Sequence, residues 1–280
     1  MFSPLYINMV SAGEVSGALH DILERLALYL EKTDSQMRRT KSALIYPAAI
    51  IFVGFSISMF LILVIIPRFK EIFSMLSAKL PLPTLILINF SDFCRKYFFH
   101  FIVACFIAGW LFRGYIKTTA GRLQFDDLKL KLPLMGPLIQ KFSIARFSRT
   151  LATLLKSGVP ILSSLDIVAK TMGNKVMEAR LIEVRRQVSQ GQRMATQLIK
   201  DKLFPEMVSE MIGVGEESGR LEQMLNKIAD TYEEEVEATI NVLLSLLEPF
   251  IIIFLGLVVG TIVLAMFLPI LKITQIMGAH

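Results

Sequence analysis

The sequence predicts an all-α, polytopic membrane protein with three transmembrane helices and helical-bundle domains in the cytoplasm. Three observations predict this fold class. The 280-residue chain is 54% hydrophobic with a mean hydropathy of +0.57, which is too apolar for an ordinary soluble domain. Two nearly uncharged stretches are long enough to cross a bilayer, and one segment of the chain occurs twice.

The transmembrane helices are predicted from the apolar stretches. Crossing a hydrocarbon core of ~30 Å takes about 20 residues, because an α-helix rises ~1.5 Å per residue. Residues 44–66 meet this requirement without a charge, and residues 248–271 meet it with Glu248 alone at the first position. Glu248 aligns in the repeat with Tyr46, an aromatic residue typical of the interface, which favours an interfacial over a functional role. Residues 97–116 form a shorter candidate span.

Basic residues predict the orientation of these spans. They precede the first span and follow the second, as expected for cytoplasmic flanks. The net charge is +6, but the basic residues are scattered and not grouped with aromatic side chains, which favours anionic lipids over nucleic acid as their partner. The predicted segments are a remnant of a first cytoplasmic domain (1–43), a periplasmic loop (67–96), a second cytoplasmic bundle (117–247) and a periplasmic tail (272–280).

An internal repeat organises the chain. A shift of 202 residues superimposes 2–67 on 204–269 with seventeen identities in 66 positions, where roughly four or five are expected by chance. Each copy has a helical hairpin whose second helix continues into a membrane helix, and an odd number of crossings between the copies supports the span 97–116. The aligned residues include Gly13, Glu14, Ser16 and Gly17 with Gly215, Glu216, Ser218 and Gly219, and Pro47, Gly54 and Pro67 with Pro249, Gly256 and Pro269.

The two copies differ in what precedes them. The second copy has a helical segment before it from about Arg146, whereas the first begins at the equivalent of Leu203. If the copies were once equal, about 55 residues are missing before Met1. A fragment, an internal start and a truncated gene all fit this expectation.

The segment Gly215–Gly219 is the most conspicuous polar motif of the repeat. We interpret it as a connection between two helices, with Ser218 as the N-cap of the second. The functional alternative is that Glu216 and Glu217 contact a partner. The following helix has an apolar face for packing, and we interpret its acidic run as a solvated face. The apolar face comprises Leu221, Leu225, Ile228, Tyr232, Val236, Ile240 and Leu243, and the acidic run comprises Glu233, Glu234, Glu235 and Glu237.

Small residues in the spans predict close helix packing. Gly256 and Gly260 form a GxxxG pattern, and the repeat aligns it with Gly54 and Ser58. In lipid, small residues four positions apart allow two helix backbones to approach closely. Two aligned copies of the pattern indicate a packing site between helices.

No catalytic, cofactor-binding or metal-binding residues are predicted. The sequence has no GxxxxGK[ST] loop, HExxH, CxxC or GxSxG pattern. We therefore expect a protein that is not an enzyme and that draws energy from a partner. A membrane transporter subunit is the alternative, but the two strong spans lack the mid-span charges and central prolines typical of transporters.

Several blocks of the sequence resemble the platform proteins of type II secretion systems and type IV pili, the GspF/PilC family. They are KLPLMGPLIQK at 131–141, IARFSRTLATLLKSGVPILSSL at 144–165 and FPEMVSEMIGVGEESGRLEQML at 204–225. The resemblance implies a homo-oligomer in the bacterial inner membrane with two cytoplasmic bundles and three spans. It also implies a scaffold that couples a cytoplasmic ATPase to pilins or pseudopilins, together with other platform components, for protein secretion or pilus assembly.

Overall fold

The structure is a computed structural model that describes residues 6–7, 10, 14, 19–68, 71, 82–201 and 203–277. All regular secondary structure in these residues is helical, which confirms the predicted all-α class. The chain divides into two compact units. The bundle unit comprises Met1–Arg38 and Gly114–Asn241, and the membrane unit comprises Arg39–Arg113 and Val242–His280.

Three long helices supply the membrane unit. They are α1 (Leu19–Phe60), which continues into a π-helical turn at Leu61–Ile65, α2 (Leu82–Lys117) and α9 (Leu221–Met277). Each contains a segment long and apolar enough to cross a bilayer, so the polytopic architecture is confirmed, with three candidate spans in the part of the chain that the structure describes. These segments are Lys41–Arg68, Phe99–Lys117 and Leu221–Leu268.

The sequence predicts a loop at 67–96, but the structure is helical from Leu82 onward, where α2 begins. Its first part, Leu82–Phe93, is itself an apolar helix. The hydropathy pattern drops at Asp92, Arg95 and Lys96, but charged side chains do not interrupt a helix. Pro83 is compatible with the first helical turn, where a backbone N–H is not needed.

The bundle unit is built from shorter helices with clear terminal signals. Gly158, Gly191 and Gly219 follow helix ends with positive φ, and Pro160 and Pro205 directly precede new helices. Asn174 caps its helix by accepting the N–H groups of Val176 and Met177. The helices are α3 (Thr119–Lys131), α4 (Met135–Lys156), α5 (Ile161–Thr171), α6 (Lys175–Ser189), α7 (Met194–Leu198) and α8 (Glu206–Ser218), with the first part of α9.

The core of the bundle unit forms around α4. Phe147 and Leu151 of α4 are fully buried, and the ring of Phe147 meets that of Phe204 edge-on. The first part of the predicted apolar face of α9 lies in this core, since Leu225, Ile228 and Tyr232 belong to the buried cluster. From the first copy, Leu26 joins the same cluster.

Candidate functional site

The segment Gly215–Gly219 lies mainly within α8, not between helices as predicted. Residues 215–218 form the last turn of α8, and Gly219 follows with φ of +71°. Ser218 is therefore not an N-cap: its hydroxyl donates to the carbonyl of Val214 at 2.6 Å, the i−4 bond typical of serine inside a helix. The helix continues through the motif because only Gly219 adopts the left-handed backbone that ends it.

Gly215 brings the end of α8 against the start of α9. A Cβ atom at this position would lie 2.9 Å from the Cα of Leu221, closer than side chains approach a backbone. Glycine is therefore required for the close contact between the two helices. This requirement gives the glycine of the motif a structural role.

The Glu216 carboxylate accepts hydrogen bonds within the bundle unit. Its two carboxylate oxygens accept the backbone N–H groups of Met194 and Ala195, at 2.8 and 3.1 Å. These are the first residues of α7, where N–H groups lack partners in their own helix. Glu216 thus caps α7 from α8, whereas the neighbouring Glu217 forms an exposed ion pair with Arg193 at 2.6 Å. The geometry favours the structural interpretation of Glu216.

The equivalent motif of the first copy is described only in part. Glu14 lies in the described part of the chain and is exposed, and the predicted Gly13, Ser16 and Gly17 lie outside the described residues. The helix that follows differs in its environment from its aligned counterpart. Leu23 is 41% exposed, whereas the aligned Leu225 is fully buried.

An ionic cluster between α4 and α9 was not found from the sequence. The Arg149 guanidinium donates to Glu233 at 2.9 and 3.1 Å, to Asn226 at 2.9 Å, and to Asp230. Lys141 pairs with Glu235 at 3.0 Å. The acidic run is therefore only partly a solvated face, because Glu233 and Glu235 contact basic residues of α4.

Electrostatics keep the Arg149 guanidinium charged. Burial on its own lowers the pKa of Arg149, but the hydrogen bonds and charges of Glu233 and Asp230 outweigh that effect and raise it. The spacing of Asn226, Asp230 and Glu233 places them on one helix face, and this is the only signal in the sequence for the site. Arg149 and Glu233 are 84 residues apart along the chain, so no local spacing in the sequence reveals that they pair.

Small residues in the two aligned spans have different environments. A Cβ atom at Gly54 would lie 2.5 Å from the side chain of Leu255, so α1 and α9 approach closely there. Around Gly256 and Gly260, by contrast, the described residues place no atom within 4 Å of such a Cβ. The two aligned patterns therefore do not form one packing site, and the GxxxG face of α9 is open.

Two hydroxyl groups of α2 supply hydrogen bonds next to prolines of the repeat. Pro269 lacks an N–H, so the carbonyl of Ala265, four residues earlier in α9, has no such donor in its own helix. The buried Thr84 hydroxyl donates to that carbonyl at 2.6 Å. The hydrogen bond therefore compensates for the missing N–H and links α2 to α9.

The same arrangement occurs at the aligned proline of the first copy. In the π-helical turn the N–H of Ile66 bonds to the carbonyl of Leu61, five residues earlier. The next bond of this kind would join Pro67 to Ile62, and proline cannot donate it. The Ser91 hydroxyl donates to the Ile62 carbonyl at 2.6 Å instead. Sequence reasoning did not predict either hydroxyl.

The sequence predicts no metal site. Among the described residues, no three His, Cys, Asp or Glu side chains are grouped so that they could hold a metal ion.

The prolines at 47 and 249 lie inside α1 and α9, which remain helical through both positions. Pro249 and Glu248 are exposed.

Comparison with known proteins identifies the family. The family model described as type II secretion system (T2SS), protein F, matches residues 1–67 and 147–269. The chain belongs to this family. The two matched segments end at Pro67 and Pro269, which the internal repeat aligns, so the family match follows the same duplication.

Relatives in this family carry the names of two kinds of machine. The chain is 42% identical over 273 residues to a type IV pilus assembly protein PilC of Myxococcus xanthus, covering 98% of this chain and 66% of the relative. It is 43% identical over 274 residues to PilC of Thermus thermophilus, covering 98% and 68%. It is 36% identical over 278 residues to a type II secretion system protein F of Pseudomonas aeruginosa, covering 99% and 68%. The chain thus spans about two thirds of the length of these relatives.

Proposed function

We propose that this chain is an inner-membrane platform protein of a type IV pilus or a type II secretion system. The observation that carries this proposal is the family match over both copies of the repeat. Relatives named for pilus assembly and for secretion both align with nearly the whole chain. The three-span membrane architecture supports the same role.

In this role the protein is a scaffold and not an enzyme. A cytoplasmic ATPase supplies the energy, and the platform transmits the resulting movement to pilins or pseudopilins in the membrane. The bundle unit lies in the cytoplasm, the segment between the first two spans and the tail after the third lie in the periplasm, and the chain associates with copies of itself and other platform components. The duplicated module supports this arrangement, because each copy links a bundle helix directly to a membrane helix.

A crosslinking experiment in cells tests the coupling. A photoreactive amino acid is placed at Ile182 or Val214, two exposed apolar positions of the bundle unit, in a strain with a complete pilus or secretion machine. We expect an adduct with the assembly ATPase at one of these positions. The matched control is the same variant in a strain that lacks the ATPase gene. Absence of any ATPase adduct, with normal fibre assembly after deletion of the platform gene, contradicts the proposal.

The purified chain tests the scaffold role separately. Reconstituted in lipid without partners, it should hydrolyse no ATP above the rate of an empty-membrane control. Robust turnover by the chain alone would show that it is an enzyme. That result would contradict the scaffold role and leave the family assignment unchanged.

A further inference from the structure

Five exposed apolar side chains surround the connection between α3 and α4. We call this set the apolar corner: Leu128 is 57% exposed, Leu132 43%, Leu134 62%, Met135 47% and Phe142 44%. Leu128 and Leu132 are four residues apart, and Met135 and Phe142 are seven apart on one face of α4. Large apolar side chains that are exposed together around one connection indicate an interaction site in a folded protein.

The connection between α3 and α4 is tight. The N–H of Gly136 donates to the carbonyl of Leu132 at 2.8 Å, and a Cβ atom at Gly136 would overlap the carbonyl oxygen of Leu130. Pro133 fixes a further backbone angle between the two helices. The backbone of the connection is therefore closely packed, and Leu132, Leu134 and Met135, which lie on it, are exposed.

The apolar corner lies at the end of the bundle unit where α9 leaves it. Helices α4 and α9 run antiparallel, since Lys141 pairs with Glu235 at 3.0 Å and Lys156 lies 3.9 Å from Glu222. The start of α4 is consequently near Asn241, the last α9 residue of the unit. Beyond Asn241, α9 continues as a single helix into its apolar segment.

Helix α3 is fixed at the same end of the bundle unit. The buried Asp126 carboxylate accepts the N–H of Lys175 at 2.9 Å, and the Asn174 amide donates to the Asp126 carbonyl at 3.2 Å. The start of α6 is in turn close to α4, because a Cβ atom at Gly173 would lie 3.3 Å from the Arg146 guanidinium. One residue, Thr118, separates α3 from the end of α2.

Charge is distributed unevenly within the bundle unit. Residues 117–146, which contain the apolar corner, have six basic side chains and two acidic ones. Residues 147–241 have twelve basic and fourteen acidic side chains. Lys129, Lys131 and Lys141 pair with Asp126, Asp127 and Glu235, so the remaining basic charge of this segment is that of Lys117, Arg122 and Arg146. An apolar surface flanked by such basic side chains is complementary to a membrane that contains anionic lipids.

From these observations we infer that the apolar corner is a membrane-binding element that inserts into the interface of an anionic lipid surface. Its apolar side chains enter the boundary between headgroups and acyl chains, at a depth of about 5–10 Å. The side chains of Lys117, Arg122 and Arg146 contact lipid phosphates. The membrane then holds the end of the bundle directly, in addition to the helices that connect it to the spans. This inference does not depend on which machine the protein serves.

Site-specific fluorescence in the full-length chain tests the inference. Cys94 and Cys105 are replaced by alanine, and a polarity-sensitive fluorophore is attached to Leu134→Cys. The matched control is Val214→Cys, which is 56% exposed in α8. Val214 lies beside the start of α9, and residues 221–241 of that helix separate the two ends of the bundle unit by about 30 Å. Each protein is reconstituted as a single copy per nanodisc, so that no second chain covers the label.

Spin-labelled lipids with the label near the headgroup then quench the fluorophore on contact. We expect severalfold stronger quenching at position 134 than at position 214, and stronger quenching with phosphatidylglycerol than with phosphatidylcholine alone. Two results would overturn the inference. One is quenching at position 134 no greater than at position 214, and the other is equal quenching at position 134 in both lipids.

Discussion

At the scale of single residues, polar side chains in the bundle unit hold helices together at their ends and along their lengths. Glu216 accepts two N–H groups at the start of α7, and Arg149 joins three polar side chains of α9 to α4. Both are charged groups that lie partly inside the bundle. Charge-assisted hydrogen bonds of this kind are stronger than neutral ones, and removing one partner leaves the other without compensation.

Replacement of Glu216 tests its capping role. Glu216→Ala removes both acceptors at α7, and we expect a loss of about 1–2 kcal/mol in unfolding free energy. Hydrogen exchange of the Met194 and Ala195 amides should become faster at the same time. Glu217→Ala is the matched control, because its ion pair with Arg193 is exposed and its loss should cost less than ~1 kcal/mol. Unchanged exchange at both amides in Glu216→Ala would contradict the capping role.

The Arg149 cluster is open to a similar test. Arg149→Ala removes the Arg149 guanidinium from the largely buried carboxylate of Glu233, and we expect a loss of about 2–4 kcal/mol in unfolding free energy. Denaturant unfolding of the full chain, followed by hydrogen exchange of α4, measures this loss. Lys156→Ala is the control, since Lys156 is exposed and lies 3.9 Å from Glu222; its effect should stay within ~1 kcal/mol. Equal effects of the two variants would contradict a special role for Arg149.

At the scale of helices, the sequence predicted those features that the bilayer or a restricted backbone angle determines. A bilayer requires long, uncharged helices, so the presence of helices that are able to cross it could be predicted from hydropathy. Glycines and prolines that end or precede helices, such as Gly158 and Pro205, were also readable because their backbone angles are restricted. The early start of α2 was missed because its first turns combine apolar residues with charges.

Contacts between helices could not be predicted in the same way. Arg149 and Glu233 are 84 residues apart, and no local pattern of spacing links them. Thr84 and Ala265 are 181 residues apart, and their hydrogen bond depends on which helices are neighbours. Ser218 was misread because the same residue types serve as N-caps and as donors inside a helix. Pairing at this distance follows from the packed structure alone.

The hydrogen bond from α2 to α9 predicts a specific coupling between two residues. Thr84→Val keeps the side-chain shape but removes the donor to Ala265, and we expect a loss of about 0.5–2 kcal/mol in unfolding free energy. Pro269→Ala restores an N–H inside α9. In that background, Thr84→Val should have a much smaller effect, because the Ala265 carbonyl then has a donor in its own helix.

A double-mutant cycle measured in bicelles gives this coupling free energy. Thr261→Val is the control, since Thr261 is exposed and its hydroxyl donates within α9 to Leu257 at 2.7 Å. This variant should be insensitive to Pro269→Ala. An equal cost of Thr84→Val with and without Pro269 would contradict the explanation that the hydroxyl replaces the missing N–H.

At the scale of the whole molecule, the duplicated module predicts the orientation of the chain in the membrane. Both copies should enter the bilayer in the same direction, which requires three crossings and opposite sides for the two ends. We expect a reporter fused before Ser3 to be active as a cytoplasmic fusion and one fused after His280 as a periplasmic fusion. A reporter fused within the bundle unit is the internal control and should match the first. Reporters at both ends on the same side would contradict parallel insertion of the copies.

The aligned glycines Gly54 and Gly256 predict separate effects on the stability of one chain and on the association between chains. Gly54 packs against Leu255 within the chain, so Gly54→Ile should disturb the membrane unit itself and lower its unfolding free energy. Gly256 has open space around it among the described residues, so Gly256→Ile should leave the unfolding free energy of one chain nearly unchanged. Because GxxxG faces associate closely in lipid, we expect Gly256→Ile to weaken crosslinking between copies in membranes.

Comparison of the two variants separates stability from association. Crosslinking yield in membranes measures the contact between copies, and unfolding in bicelles at low protein density measures the single chain. Gly109→Ile is a suitable control, because Gly109 in α2 also has open space around it but lies outside the small-residue pattern. One result would contradict this role: equal crosslinking yields for Gly256→Ile, Gly109→Ile and the unmodified chain. The open face of α9 would then not mediate self-association. Gly256 would then have a role other than contact between copies.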